Sequence, residues 1–248
     1  MSAAFGSASH WAAGGEGVPA QPGLSLIRAL QFGDSLLPVG GFAFSAGLES
    51  AIQTGVVSDV HTLEEFTRTA LQEAALGDGI GLIWAHRAAS AGDLAWLARV
   101  DEAVHARKLA SEARTMSLRM GRKLTELGAA VIDAPLLIAW RERVAAGTAF
   151  SCYPVALGSV FAAQGLPARD AFAVHQYGVA AMLLGAALRL MRIDHIATQR
   201  LLYRLNSDVD AAYTHAADAR LEDMAGFAPL TEVLAAVHVK ASVRLFMS

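Results

Sequence analysis

The sequence predicts an all-α protein, folded as a single globular bundle of roughly ten helices. Apolar residues recur at three- and four-residue spacing along most of the chain, which is the period of an amphipathic helix. No alternating polar and apolar run bounded by hairpin turns stands out, so strands are not expected. The 248 residues are 54% hydrophobic and 17% charged, against about 25% charged in an average soluble domain. We therefore expect a helical core whose surface is partly hidden in an assembly.

The two ends of the chain differ in composition from its middle. Residues 1–23 are rich in glycine, alanine, serine and proline and carry neither a basic n-region nor an apolar h-region, which predicts a disordered leader and not a signal peptide. We expect one helical domain over 24–236 and a partner-binding C-terminal tail over 237–248. Cys152 is the only cysteine, so no disulfide within the chain can form and a reducing compartment, the cytoplasm, is expected. The net charge of −3 argues against nonspecific binding to nucleic acid.

A glycine-rich corner follows the first predicted helix, 24–32. Pro38 fixes its own φ and pushes the preceding residue towards an extended shape, and Gly40-Gly41 allow backbone angles that a side chain would forbid. Ser45 is expected to cap a helix that ends near Gly55. A phosphate-binding loop needs Gly-Lys-Ser/Thr at the start of its helix. The corner lacks that sequence, which excludes a nucleotide site of this type.

The remaining elements are also predicted helices. Thr62 and Glu65 form a predicted capping box at the start of the next one, and the glycines between residues 77 and 81 are expected to interrupt it. Further helices are expected at 80–89, from Gly92-Asp93, from about Ser111, from the Asp133-Ala134-Pro135 entry, and from Pro154, Arg169, His195 and Pro229.

Two uncharged stretches, 144–168 and 171–188, are long enough to be tested as membrane spans. The first contains several glycines and prolines that would break or kink a helix. The second has polar residues near its start and is rich in alanine, which drives membrane insertion weakly. We interpret both as helices buried in the core or against a partner. A small integral membrane protein built from this region is the alternative.

A search for catalytic or metal-binding residues gives one partial motif, Glu102-x-x-His105. A di-iron helix bundle needs two such motifs and two further glutamates, and no second Glu-x-x-His is present. We interpret Asp101, Glu102, His105 and Lys108 as a solvated helix face. A di-metal enzyme stays an alternative that metal analysis would test.

Two other groups of residues invite a catalytic interpretation. The turn from Ser151 to Pro154 holds the lone cysteine, but neither the Gly-x-Ser-x-Gly motif nor the flank of a cysteine protease is present. His175 and Tyr177 lie on an apolar helix, where such residues are more often core or interface groups. The sequence therefore predicts no catalytic residue and no metal ligand.

Five segments of the chain, taken in order, carry a family signature. They are Leu37-Pro38-Val39-Gly40-Gly41-Phe42-x-Phe44-Ser45-x-Gly47-Leu48-Glu49; Glu112-Ala113-Arg114 with Arg119-Met120-Gly121-Arg122-Lys123-Leu124; Tyr153-Pro154-Val155-Ala156-x-Gly158; Thr198-Gln199-Arg200-Leu201-Leu202; and Arg244-Leu245-Phe246-Met247-Ser248. In this order they resemble the UreF family of urease accessory proteins. The resemblance covers the chain from about residue 24 to its end and leaves only the leader outside.

This resemblance implies an all-α fold with no catalysis by this chain alone. Members of the family bind the accessory protein UreD, called UreH in some systems, and the GTPase UreG. Together they deliver nickel to apo-urease, and UreF usually forms a homodimer; nickel and GTP are handled by the partner complex, and no cofactor is expected on this chain. A paralogous scaffold for another metalloenzyme stays an alternative.

The resemblance also implies where a partner binds. The family's C-terminal tail becomes ordered when UreD/UreH binds, and its arginine docks near a tyrosine of the long apolar helix. In this sequence those positions are Arg244 and Tyr177. The partner-binding tail then includes Leu245, Phe246 and Met247, and the other motif residues are expected to serve the fold or an interface.

Overall fold

The computed structural model describes residues 22–34, 37–40 and 44–225. Within these ranges the backbone forms eleven α-helices and no strand, which confirms the all-α prediction. The helices are α1 (Pro22–Gly33), α2 (Leu48–Gln53), α3 (Val60–Ala74), α4 (Ile80–Ser90), α5 (Leu94–Ala106), α6 (Ser111–Val131), α7 (Pro135–Ala145), α8 (Tyr153–Ala163), α9 (Ala168–Leu190), α10 (His195–Leu205) and α11 (Val209–Asp218). Most of the predicted leader, the C-terminal tail and the helix expected from Pro229 lie outside the described residues and stay predictions.

Helix α8 lies at the centre of the larger of two groups of buried residues. It is buried from Pro154 to Phe161 and packs against α4 and α6. Gly158 explains how closely α4 approaches, because a Cβ at this position would lie 3.1 Å from the backbone nitrogen of His86. A residue with a side chain here would push the two helices apart.

A smaller group of buried residues lies between α2, α3, α9 and α10. Its fully buried members include Leu48, Leu63, Leu183 and Leu201. The long helix α9 takes part in both groups, since Phe172 near its start belongs to the larger one. Helix α9 therefore connects the two halves of the core.

Two helix starts differ from those predicted. Asp59 is the N-cap of α3, and it forms a capping box with Thr62, so the box lies three residues before the predicted pair. Gly47, in the left-handed conformation at φ 82°, precedes α2, and no side chain caps this helix. The expectation that Ser45 caps it is wrong because the left-handed turn places the helix start two residues later. Gly55 does follow the end of α2, as expected, with φ 75°.

The glycines after α3 do not stop the helix. Residues Ala75–Gly79 form a π-helical turn that joins α3 directly to α4. A π-turn widens the hydrogen-bond ladder without ending it, and such turns often lie at functional sites. The predicted interruption is therefore a bulge, and helix α11 was not predicted at all.

Helix α9 is the one helix in the described ranges that is long and apolar enough to cross a membrane by length and composition. It has 23 residues, and half of its most apolar window is buried inside the protein. The core helix of a water-soluble protein passes the same test. Its burial between the two groups of core residues agrees with the interpretation of 171–188 as a core helix.

Substituting Gly121→Ala should destabilise the fold by about 3 kcal/mol. A Cβ at Gly121 would overlap the carbonyl oxygen of Ser151 and lie 2.7 Å from the backbone of both Cys152 and Tyr153, and these backbone atoms have little room to move. Urea unfolding followed by circular dichroism measures the change. Gly185→Ala in α9 is the matched control, because its Cβ would meet nothing within 4 Å and the substitution should be neutral or stabilise by up to about 1 kcal/mol. Equal free energies of unfolding for the two variants would contradict the close approach of α6 to the backbone of residues 151–153.

Candidate functional site

A cavity of about 220 Å³ opens to the surface beside the π-helical turn. Helices α3, α5, α6 and α9 form about half of its walls, and the other half comes from irregular segments: the corner residues Phe44, Ser45 and Ala46, the π-turn, the loop between α5 and α6, and the end of the described chain. Ala46 has φ 46°, a left-handed conformation that is uncommon for a residue with a side chain. Strained and irregular backbone often collects at functional sites, and a cavity of this kind is the default candidate for one.

Two polar side chains of the cavity wall, Asp78 and Lys108, form a trio with the buried side chain of His175. Nζ of Lys108 donates a 2.6 Å hydrogen bond to Oδ2 of Asp78 in the π-turn, and the two side chains are about one-fifth exposed. Nε2 of His175 on α9 lies 3.8 Å from the same oxygen. Its Nδ1 atom is buried and has no hydrogen-bond partner. An ion pair this deep contributes little net stability, so we treat the trio as a functional candidate.

The charges in this trio set the protonation of its members. Burial alone would raise the pKa of Asp78, but Lys108 and His175 outweigh it and hold this pKa below its usual value. Burial lowers the pKa of His175, and the neighbouring Lys108 acts in the same direction, while Asp78 opposes them. At neutral pH the site therefore holds the carboxylate of Asp78 and a neutral imidazole of His175, with the Lys108 side chain hydrogen-bonded to the carboxylate.

Arg114, a residue of the family signature, holds the loop that carries Lys108. Its Nε and Nη2 atoms donate to the carbonyl oxygen of Lys108 at 3.0 and 2.7 Å. This fork fixes the backbone from which the lysine side chain reaches Asp78. The structure thus gives Arg114 a positioning role for the cavity wall.

Asp101 is fully buried and anchors the turn that leads into α8. Its carboxylate accepts hydrogen bonds from the backbone N–H groups of Phe150 and Ser151, at 2.7 and 2.8 Å, and of Cys152, at 2.8 Å. Burial raises the pKa of Asp101, although the three donors oppose that shift. The ring of His105 stacks on Phe150 with centroids 3.8 Å apart. The prediction of a solvated face over Asp101, His105 and Lys108 is therefore wrong, because each of these side chains makes a tertiary contact.

The central family motif surrounds the same turn. The absence of a side chain at Gly121 leaves space for the backbone of this turn. Nε of Arg122 donates to the carbonyl oxygen of Phe150 at 3.3 Å. Tyr153 and Pro154 begin α8, and the Tyr153 N–H donates to Oγ of Ser117. The structure brings these signature residues together and assigns them to the fold.

The N-terminal motif divides between the surface and the core. Pro38 and Gly40 are exposed, whereas Ser45, Leu48 and Glu49 are buried. Gly41 and Phe42 lie outside the described residues. Ser45 belongs to the wall of the cavity, as do Glu112 and Ala113 of the second motif, so the two motifs border one site.

Tyr177 lies on the outer face of α9 and is 44% exposed. Its assigned partner Arg244, and the neighbouring tail residues Leu245, Phe246 and Met247, lie outside the described residues. The docking of Arg244 near Tyr177 stays a prediction. The exposure of Tyr177 leaves its side chain accessible for that contact.

The Ser151–Pro154 turn is built as a structural element. Oγ of Ser151 is hydrogen-bonded to Oγ1 of Thr125 at 2.7 Å. Cys152 is fully buried, and burial, together with the charge of Asp101, raises the pKa of its thiol well above the usual value. A protonated, buried thiol is a poor nucleophile. In the ranges that the structure describes, no group of three or more His, Cys, Asp or Glu side chains is placed to hold a metal ion.

Sequence reasoning missed the trio of Asp78, Lys108 and His175. The available signal was Gly77-Asp78-Gly79, a carboxylate between two glycines in the middle of an otherwise helical stretch. That pattern is typical of a helix bulge as well as a break. The partners of Asp78 come from 30 residues and more away, which local spacing does not reveal.

Asp101→Asn should destabilise the protein by about 3 kcal/mol, since a carboxamide offers one acceptor oxygen to three backbone donors and turns its own N–H₂ group towards them. Thermal unfolding should show a fall of several degrees, at about 2–4 °C per kcal/mol for a chain of this size. Glu102→Gln, at the exposed neighbouring position, serves as the control and should change little. A fall no larger than that of the control would show that the turn does not depend on Asp101.

The buried imidazole gives a pH prediction. Because the folded pKa of His175 lies below its ordinary value of 6.5, the unfolded chain binds this proton more tightly. Stability is then retained above about pH 6.5 and lost as the pH falls through it. His175→Gln should remove this pH dependence, which amounts to up to about 1.4 kcal/mol of unfolding free energy per pH unit. Urea unfolding of both proteins at about pH 7.5 and about pH 5.5 measures it, and parallel pH profiles would refute the assignment.

Comparison with known proteins agrees with this arrangement of motifs. The family model of UreF matches residues 57–206. The chain is 54% identical to urease accessory protein UreF 2 of Brucella canis over 223 residues, which are 90% of this chain and 92% of the relative. It is 50% identical to urease accessory protein UreF of Yersinia enterocolitica over 221 residues, 89% of this chain and 97% of the relative. The chain belongs to the UreF family of urease accessory proteins.

Proposed function

We propose that this chain is a urease maturation protein, a metallochaperone scaffold with no catalytic activity of its own. It binds UreD/UreH and recruits the GTPase UreG in the cytoplasm, and the complex inserts nickel into apo-urease with hydrolysis of GTP. Nickel and GTP are handled by the partners, and this chain binds no cofactor. The observation that carries the proposal is the relationship to UreF proteins over nine-tenths of the chain.

An exposed apolar face supports a scaffold role. Leu26, Ile27 and Leu30 of α1 are 61%, 64% and 61% exposed. Helix α1 packs on α9 near Val174, one turn before the exposed Tyr177. Apolar side chains grouped in this way on a surface are typical of a protein–protein interface. In the proposal such helix surfaces are covered by UreD/UreH and by a second copy of this chain.

The C-terminal tail reinforces the contact with UreD/UreH. Arg244 is a cation directly followed by three apolar residues, and a guanidinium group that leaves water requires acceptors. The hydroxyl group of Tyr177 supplies one, and the exposed apolar face beside it accommodates Leu245, Phe246 and Met247. One charge-assisted hydrogen bond of this kind contributes about 1.5–3 kcal/mol.

Co-expression with UreD/UreH tests the proposal. The full chain should copurify in a stoichiometric complex, and a chain that ends at Ala236 should lose it. Arg244→Ala should weaken binding by about tenfold to a hundredfold, because it removes the charged donor. Light scattering gives the mass of the complex and, for the chain alone, that of the homodimer.

Lys240→Ala is the matched control, since it removes the other tail cation without touching the assigned contact. Equal weakening by the two substitutions would show that only the net charge of the tail matters. Undiminished binding by the chain ending at Ala236 would place the interface in the helices. No complex with the folded full chain would reject UreD/UreH as the partner and favour the paralogue.

A further inference from the structure

The last residues of α11 and the chain that follows them are bound along their backbone by side chains of α4 and by Arg107, which directly follows α5. We call residues 217–225 the strap. Nη2 of Arg87 donates to the carbonyl oxygen of Ala217 at 2.9 Å, and Nε1 of Trp84 donates to that of Ala219 at 3.2 Å. These bonds hold the first half of the strap against α4. Their acceptors are main-chain carbonyl oxygens, so these bonds fix the path of the strap independently of its side chains.

Arg107 holds the other end of the strap. Its Nε donates to the carbonyl oxygen of Met224 at 3.0 Å, and its Nη2 donates to that of Glu222 at 3.4 Å. Its Nη1 donates to the carbonyl oxygen of Ala103 at 3.1 Å, which ties the guanidinium group to the end of α5. The side chain therefore joins a rigid helix to the last described turn.

The end of the strap is also fixed to the π-helical turn. The N–H of Ala225 donates to the carbonyl oxygen of Leu76 at 3.1 Å, and the side chain of Met224 is 6% exposed and lines the cavity. The next residue after Arg107 is Lys108, whose side chain reaches Asp78 in the same π-turn. Two consecutive cations thus fix the cavity wall and the point where the C-terminal segment leaves.

We propose that Arg107 is a positioning residue for partner binding: it holds Met224, two residues before the C-terminal segment 226–248, at the rim of the cavity. This inference rests on the proposed function, in which that segment contacts UreD/UreH. A fixed origin raises the effective concentration of the tail at the partner's surface, whereas a loosened origin spreads the same tail over a larger volume. Arg107 itself does not need to touch the partner.

Arg107→Met tests this role, because it keeps the apolar stem and removes every donor. Binding to purified UreD/UreH should weaken about tenfold, the equivalent of one lost charge-assisted hydrogen bond. Amide hydrogen exchange of Met224 and Ala225 in the free chain should accelerate. Since Arg107 is exposed, global unfolding in urea should stay nearly unchanged. The affinity of Arg107→Lys, which retains one charged donor, should lie between the affinity of the unchanged chain and that of Arg107→Met.

Arg87→Met is the matched control, because it loosens the strap at the end remote from the tail. It should accelerate exchange near Ala217 and leave the affinity close to that of the unchanged chain. Equal weakening by Arg87→Met and Arg107→Met would overturn the positioning role, and so would unchanged affinity of Arg107→Met despite faster exchange at Met224.

Failure of the proposed function would give a different set of binding results from failure of the positioning role. If the unchanged chain does not bind UreD/UreH at all, that function fails and the role of Arg107 in binding fails with it. The exchange measurement then still shows whether Arg107 holds the strap. Slow exchange at Met224 and Ala225 in Arg107→Met would overturn the proposal at its first step.

Discussion

The buried carboxylate of Asp101 is the interaction on which the rest of the structure depends. A charge removed from water costs several kcal/mol unless hydrogen bonds replace its hydration, and three consecutive backbone N–H groups do so here. They converge on one carboxylate because Ser151 adopts a left-handed φ of 58°. The hydroxyl of Thr125 and the missing side chain of Gly121 accommodate that turn. The direction in which α8 enters the core is thereby set by a side chain of α5.

The same helix connects this anchor to the candidate site. Helix α5 ends at Ala106, about 7.5 Å along the helix axis from Asp101, and Arg107 and Lys108 follow directly. Because α5 is rigid over that distance, fixing Asp101 on the turn also fixes where Arg107 reaches the strap and Lys108 reaches the π-turn. Arg114 then holds the loop from the other side through the carbonyl oxygen of Lys108. The family motifs at the turn and in the first part of α6 therefore serve one purpose, the placement of the cavity wall.

Elements whose signals are local could be predicted from sequence, and elements set by distant contacts could not. Asp93 and Pro135 mark helix starts through their own backbone preferences, and α5 and α7 begin there. The spacing of Asp101, His105 and Lys108 matches an exposed helix face, and only the contacts with the turn at 150–152 and with Asp78 of the π-turn show that these residues are engaged. Gly77 and Gly79 signal a departure from α-helix, but sequence does not distinguish a break from a π-turn. The UreF signature located the important segments, while the hydrogen bonds assign Gly121 and Arg122 to the fold and Arg114 to the cavity.

Helix α9 forms part of both the cavity wall and the outer surface of the proposed scaffold. Val179, Met182 and Leu183 face the cavity, whereas Tyr177 and Leu188 are exposed, and Tyr177 and Met182 are about 140° apart around the helix axis. A partner on the outer face and a group in the cavity therefore contact the same rigid element from opposite sides. His175 lies on this helix too, with its Nε2 atom 3.8 Å from Oδ2 of Asp78. A small displacement of α9 therefore changes this distance before it alters the shape of any helix. Close-packed interiors transmit strain, and α9 is the element that joins the outer face to the trio of Asp78, Lys108 and His175.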